Sequence, residues 1–307
     1  MVTGSSRPAR SVAGRLATLR GSRFVVATAT PAVRSSLVTA RMLTGAAGML
    51  PGFLIAGAQR SGTASMDRAL RQHPAVFGGT LREVHYFDLQ YDRGVRWYRS
   101  HFPFRSWARW AARSAGSPPV AFETSPYYLF HPLAAGRISR DLPGVKLLVL
   151  VRDPVERAYS AHAHETFFGY ESEPFERALE LEPTRLAGEA ERMVADPGYA
   201  SHSHQHHAYR TRGQYAEQLE RLERLLGRDR IHVVESEAFF TSPEPAYDAV
   251  LDFLGLPRAG YPSFRRHNAR PRAAAMPNHV RAALTEHYRP YDERLARWLG
   301  HEPSWRT

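Results

Sequence analysis

Cysteine is absent from the 307 residues. That removes disulfides, thiolate nucleophiles and Cys-ligated zinc, and it fits a reducing compartment. Lysine is almost as scarce: of 41 basic residues only Lys146 is a lysine, so the positive charge is carried by arginine. Acid is missing from the first fifty residues, which hold seven arginines. Such a composition predicts a poorly ordered, solvated basic tail over residues 1–50, and it also suits an organellar presequence or a surface-binding amphipathic segment. Its apolar stretches are short and interrupted by arginine, which argues against a transmembrane helix or a secretory signal.

What remains is long enough to bury a large core, and an apolar content of 43% is ordinary for a globular chain. Residues 51–307 are read as one α/β domain. The formal charge of +11 draws in anions without choosing among small ligands, nucleic acid or an acidic membrane. Arginine suits bidentate contact with phosphate, sulfate or carboxylate.

The informative stretch is FLIAGAQRSGTA, residues 53–64. A continuous apolar run, Phe53 to Ala56, predicts a strand covered on both faces, and Thr63 to Leu70 predicts the helix that follows. The loop between them therefore lies at a helix N-terminus, where unpaired N–H groups and the helix dipole favour an anion. Gly57 and Gly62 let backbone approach closely, Arg60 adds charge, and Ser61 and Thr63 add hydroxyls. The spacing imitates GxxxxGK[ST], but Thr63 stands where that motif has lysine, which weakens an ATP- or GTP-dependent phosphotransferase. A plain strand-to-helix turn without a ligand is the bland alternative.

Farther on, REVHYFD places Glu83 and His85 two residues apart; an extended 82–87 would put both on one face, either able to act as general base. Trp97, Tyr98 and Phe102 are expected as packing anchors, and 105–118 as a connecting segment. VAFETSPYYLF predicts a second strand stopped before Pro126, and KLLVLVRD a third, with a long helix starting at Pro154. This alternation argues for a parallel sheet with ligands at the strands' carboxyl ends, where Arg60 and Arg152 lie. Residues 174–196 read as one charged helix. His202, His204, His206 and His207 lack zincin spacing and are expected in a polar loop rather than a metal site. A helix over 212–227 carries a Leu219, Leu222, Leu225 and Leu226 stripe. IHVVESE reads as a strand, followed by helices over 247–254 and about 277–299. Arg266 and Arg270, in the arginine-rich FRRHNARPR, are candidates for a second anion clamp against a solvated loop.

Taken together, FLIAGAQRSGTAS, REVHYFD with GVRWYRSHFP, FETSPYYLFHP, LLVLVRDPVERAYSAHAHE, RGQYAEQL and FLGLP resemble the nucleotide-dependent sulfotransferases, particularly heparan-sulfate-type and bacterial members. The resemblance spans about residues 51–300. It implies a P-loop-like three-layer fold, a central parallel sheet flanked by helices. It implies 3′-phosphoadenosine 5′-phosphosulfate (PAPS) as donor and no metal. Gln59, Arg60, Ser61, Gly62, Thr63 and Ala64 would form the phosphosulfate loop. Arg152 and Ser160 would clamp the 3′-phosphate, with Arg266 and Arg270 as further contacts. Glu83 would be the catalytic base, its pKa raised by partial burial, with His85 as second candidate and Arg60 stabilising charge on the sulfuryl group. Arg60 replaces a common lysine, Thr124 stands where glycosaminoglycan-type relatives often have lysine, and Thr63-Ala64 replaces a frequent Thr-Thr pair. The implied acceptor is a hydroxyl, less readily an amine, of a carbohydrate-containing or lipid molecule. Nucleic acid is not an expected partner. The expected location is the cytoplasm, as in bacterial-style enzymes, with peripheral membrane contact through the tail. Against this stand the phosphotransferase and a non-enzymatic polyanion-binding module.

Overall fold

A computed structural model of the protein describes residues 48–265 and 275–306. The expected tail thus lies almost wholly outside the described residues, as do Arg266 and Arg270.

Five parallel strands form one sheet: β1 (Pro51–Gly57), β2 (Val76–Gly78), β3 (Val120–Thr124), β4 (Lys146–Val151) and β5 (Ile231–Glu235), in the order β2-β3-β1-β4-β5. A sheet of this kind needs cover on both faces, and the unbroken apolar runs supply it. Phe53 to Ala56 and Leu147 to Val151 are all buried, and Phe53 stacks on Phe122 of the neighbouring strand with ring centroids 4.9 Å apart. The helices around it give the P-loop-like α/β fold. From β1 the chain first builds β2 and β3 on one side, then crosses to β4 and β5 on the other. The crevice beyond the carboxyl end of β1 is therefore the switch point at which such sheets bind ligands.

Two helices set the site. Helix α1 (Thr63–Leu70) follows β1. After α2 (Gly94–Ser100), α3 (Arg105–Ala111) and α4 (Ala134–Asp141), helix α5 (Pro154–Phe168) follows β4. Its start obeys local rules: Pro154 occupies the first turn, and the Asp153 carboxylate accepts from Val155 N–H at 2.9 Å. The chain continues through α6 (Phe175–Leu186), α7 (Glu189–Ala195), α8 (His202–His206), α9 (Tyr215–Leu226), α10 (Ser236–Thr241), α11 (Pro243–Leu254) and α12 (Asn278–Leu299). Trp97, Tyr98 and Phe102 are buried in the main core. Val155, Ala158, Phe175, Tyr209, Leu284 and Tyr288 form a second cluster joining α5, α6 and α12.

Several expectations are corrected. The segment 105–118 contains α3 rather than only a connection. The charged helix over 174–196 is broken into α6 and α7 by Gly188, whose φ of 74° no helix continues through. Leu225 faces solvent, while Leu219, Leu222 and Leu226 are buried. The histidine-rich loop is the short helix α8, started by Ser201, whose Oγ accepts from His204 N–H. Residues 82–87 form no strand, and His85 has a left-handed φ of 56°.

Candidate active site

The loop between β1 and α1 turns sharply. Arg60 has φ 69° and Gly62 φ 86°, conformations that cost a non-glycine residue energy and that collect at functional sites. A Cβ on Gly62 would also meet the Phe240 ring at 3.1 Å. The loop is tied down from two sides: Ala58 N–H donates to Leu150 O at 2.7 Å, and Ser236 Oγ–H donates to Ser61 O at 2.6 Å. No side chain caps α1. Its leading N–H groups are thus offered to an incoming anion.

Arg60 Nε donates to Ser160 Oγ on α5 at 3.0 Å, and Arg152, at the end of β4, sits beside the Arg60 carbonyl with Nη1 at 3.5 Å. Loop, strand end and helix thereby converge, with Ser160 bonded to Arg60 rather than to Arg152, the residue with which the resemblance pairs it. Glu156 was not foreseen: it lies 3.9 Å from Arg152 and pairs with Arg281 of α12 at 2.7 Å.

Gln59 belongs to a buried relay also missed in the sequence. Its Nε2 donates to Glu165 Oε1 at 3.0 Å and its Oε1 accepts from Arg212 Nη1 at 2.6 Å. Glu165 Oε2 meets His206 Nδ1 at 2.8 Å. Arg212 also donates to the carbonyls of His204 and Gln205. Burial lowers the Arg212 guanidinium to about 10, which leaves it charged at neutral pH. His204 is pushed down to about 3 by burial and by Arg212, stays neutral, and meets Tyr127 Oη at 2.7 Å. Helical spacing gives no signal for the relay, since the five residues from Ser160 to Glu165 turn the helix by about 140° beyond a full turn. Only the fold shows that both reach the loop.

A second group lies at the end of β3. Glu83 accepts from Arg82 Nη2 at 2.9 Å and faces His85 Nε2 at 3.5 Å; the other ring nitrogen of His85 meets Asp88 at 2.8 Å. Burial would lower the His85 pKa, but hydrogen bonds and charge from Asp88 and Glu83 outweigh it and raise it to about 10. Burial would also raise Glu83, yet His85 and Arg82 hold it below the usual carboxylate range. The expected upward shift of Glu83 is therefore corrected, because burial arrives together with two cations. Beneath them Glu123 is fully buried. It accepts from Tyr98 and Tyr128 hydroxyls at 2.9 and 2.6 Å and from Val84 N–H at 3.3 Å, while Ser125 Oγ accepts from His85 N–H at 3.1 Å. Thr124 points elsewhere, donating to Asp67 of α1 at 2.8 Å.

Among the described residues no group of three or more His, Asp or Glu side chains is arranged to hold a metal. Lys146 lies at the opening end of β4, away from the loop, with Nζ on Phe253 O at 2.5 Å. It cannot serve as a phosphate-loop lysine. A cavity of about 620 Å³ bounded by Phe130, Glu182, His204, Arg210, Gln218 and Arg221 is not lined by Gln59, Arg60, Glu83 or Arg152.

Residues 51–260, which hold both groups, match the model of the sulfotransferase family. The chain belongs to that family. A relative is the membrane-associated sulfotransferase kil1 of Dictyostelium discoideum, 24% identical over 324 residues, covering 84% of this chain and 67% of the relative. Human heparan sulfate glucosamine 3-O-sulfotransferase 5 is 29% identical over 210 residues, covering 68% of this chain. This sulfotransferase spans only 54% of that relative's length. The crystal structure of a sulfotransferase from Alicyclobacillus acidocaldarius superposes with a TM-score of 0.62 at 28% identity, covering 84% of this chain and all of the other.

Proposed function

We propose that this sulfotransferase moves a sulfuryl group from PAPS to a hydroxyl of a carbohydrate acceptor, with Glu83 as base. One observation carries the reading. At the switch point the uncapped α1 and the Arg60–Ser160 pair offer anion contacts, and Arg152 stands beside them. A donor with anionic groups at both its 5′ and 3′ positions fits such a pair of sites, and a kinase donor has no 3′-phosphate.

The residues present fit the donor. Gly62, Thr63 and Ala64 would supply N–H groups, Ser61 and Thr63 hydroxyls, and Arg60 charge toward the phosphosulfate. Arg152 and the Ser160 hydroxyl would take the 3′-phosphate, with Arg266 and Arg270 as added cations. Gln59 is held by Glu165 and Arg212 and fixes the loop from behind. Bound there, the donor supplies an electrophilic sulfur with a phosphate leaving group.

Glu83 takes the proton from the acceptor hydroxyl as the new oxygen–sulfur bond forms and the bond from sulfur to the 5′-phosphate oxygen breaks. Arg60 stabilises the charge gathering on the sulfuryl and phosphate oxygens. His85, held protonated between Asp88 and Glu83, is a cation that keeps Glu83 ionised and oriented rather than a second base. The heparan sulfate relatives support a carbohydrate acceptor.

The test is calorimetric titration of the purified protein with 3′,5′-adenosine bisphosphate and, in parallel, with ATP and magnesium, followed by transfer of labelled sulfate from PAPS to glycan acceptors. Tight bisphosphate binding and label on sugar are expected. Preference for ATP with magnesium would overturn the donor, and bisphosphate binding without transfer to any sugar would overturn the acceptor.

A further inference from the structure

Helix α3 is inside out. Ala108 is its one buried residue, and Ala112 just beyond it is also buried, while Trp107 and Trp110 are 39% and 51% exposed. An ordinary surface helix buries its large apolar side chains and shows its small ones. Here the small side chains face the core and the indoles face out, three residues apart on one side of the helix. Arg105 and Arg109 are exposed on the same short helix, and Arg113 follows it with its guanidinium over the Trp110 ring at 4.6 Å.

The surrounding sequence is one-sided in charge. From residue 93 to residue 122 there are six arginines and no Asp or Glu. None of the six makes an ion pair with a described residue. Val95, on the neighbouring helix α2, is also exposed. The acid-free tail joins here too: Arg99 Nε donates to Gly48 O at 3.0 Å, and Met49 N–H donates to Pro103 O at 2.9 Å. Gly48 and Met49 are thereby held against α2 and the segment leading into α3.

We infer that the outward face of α3 docks on an anionic lipid bilayer. Arginine beside exposed tryptophan is the composition of an interfacial helix: guanidinium groups meet lipid phosphates while indoles sit at headgroup depth. Charge alone would serve an acidic glycan equally well. The two outward indoles, which have no partner in such a chain of charges, favour the bilayer. Docking leaves the donor site open, since Trp107 packs on Phe77 of the edge strand β2 and the donor loop follows the central β1.

Co-sedimentation of the full chain with vesicles of phosphatidylcholine alone, or with a third phosphatidylserine, tests this, together with the emission maximum of its tryptophans. Binding to the anionic vesicles, a blue shift on binding and release by salt are expected. Each arginine near an anionic surface strengthens partition about five-fold, so R105Q/R109Q/R113Q loses on the order of 100-fold. Trp110→Ser, which removes an exposed ring without opening the core, abolishes most of the blue shift. Unchanged vesicle binding by a folded triple variant overturns the assignment. So does capture on heparin that the triple variant loses when neither vesicle is bound, since the face then reads an acidic glycan.

Discussion

Arg60 Nε and Ser160 Oγ lie 3.0 Å apart, joining the loop after β1 to the helix after β4. The hydroxyl that accepts from Arg60 keeps its own hydrogen to donate. Ser160 can thus hold Arg60 toward one anionic group while giving its O–H to another. A Ser160→Ala change is expected to lower affinity for 3′,5′-adenosine bisphosphate about 10-fold, the loss of one hydrogen bond to a charged group, and to lower kcat as well because Arg60 loses its tether. Calorimetry and single-turnover rates separate the two effects. A change in affinity with kcat untouched would show that the Arg60 contact is without consequence.

On the proposed donor, Arg152 is the residue expected to discriminate between nucleotides. Arg152→Ala should weaken 3′,5′-adenosine bisphosphate about 100-fold yet leave 5′-AMP within a few-fold, since only the first has a 3′-phosphate to lose. Arg152→Lys should restore part of the affinity, because charge returns without the planar fork. Equal losses for both nucleotides would place Arg152 elsewhere on the donor.

Glu83 and His85 can be told apart by pH. Glu83→Gln removes the proposed base and should cut kcat by about 10² to 10⁴-fold with bisphosphate affinity unchanged. His85→Gln should cost less at neutral pH and instead move the acid limb of the rate profile. The protonated imidazole helps hold the Glu83 pKa down, so its removal raises that pKa and the base is lost at a higher pH than in the parent enzyme. A His85→Gln profile with an unmoved acid limb would remove His85 from this role.

How much of this was legible beforehand follows from which interactions are local. Continuous apolar runs at Phe53 to Ala56 and Leu147 to Val151, with Pro154 after the second, are enough to predict a parallel sheet and the helix start. Arg60 and Arg152 sit at element ends whose positions those runs imply, and Ser160 lies about two turns into the helix that starts at Pro154. A pairing of Arg152 with Ser160 could therefore be expected, whereas the bond from Arg60 to Ser160 needs the fold. Glu165 and Arg212 could not, because their link to Gln59 spans 106 and 153 residues and only the fold closes it. The lowered pKa of Glu83 is illegible for a related reason: partial burial is expected from the sequence, but the placing of Arg82 and His85 against the carboxylate depends on a loop whose left-handed turn at His85 no periodicity encodes. Leu225 failed differently. A leucine one position off the buried stripe of α9 is indistinguishable in sequence from one on it.

Glu123 links the site to stability. It is wholly buried under the Glu83 loop, and burial pushes its carboxyl up to about 7 against the opposing hydrogen bonds from Tyr128 and Tyr98. A carboxyl whose folded pKa lies above its unfolded one binds its proton more tightly when folded. Its contribution is full below the unfolded pKa and drains away as pH rises through the folded value. Between the ordinary value of 4.5 and about 7 the free energy of unfolding should therefore fall, by about 3 kcal/mol from this group alone. Urea unfolding at pH 5, 6, 7 and 8 measures the slope. Glu123→Gln, which cannot ionise, should flatten that slope while lowering stability at pH 5, where one amide oxygen must serve the donors that the carboxyl served. A parent and a Glu123→Gln protein with identical slopes would mean that Glu123 keeps one protonation state throughout, held as an anion by the Tyr98 and Tyr128 hydroxyls and the Val84 N–H.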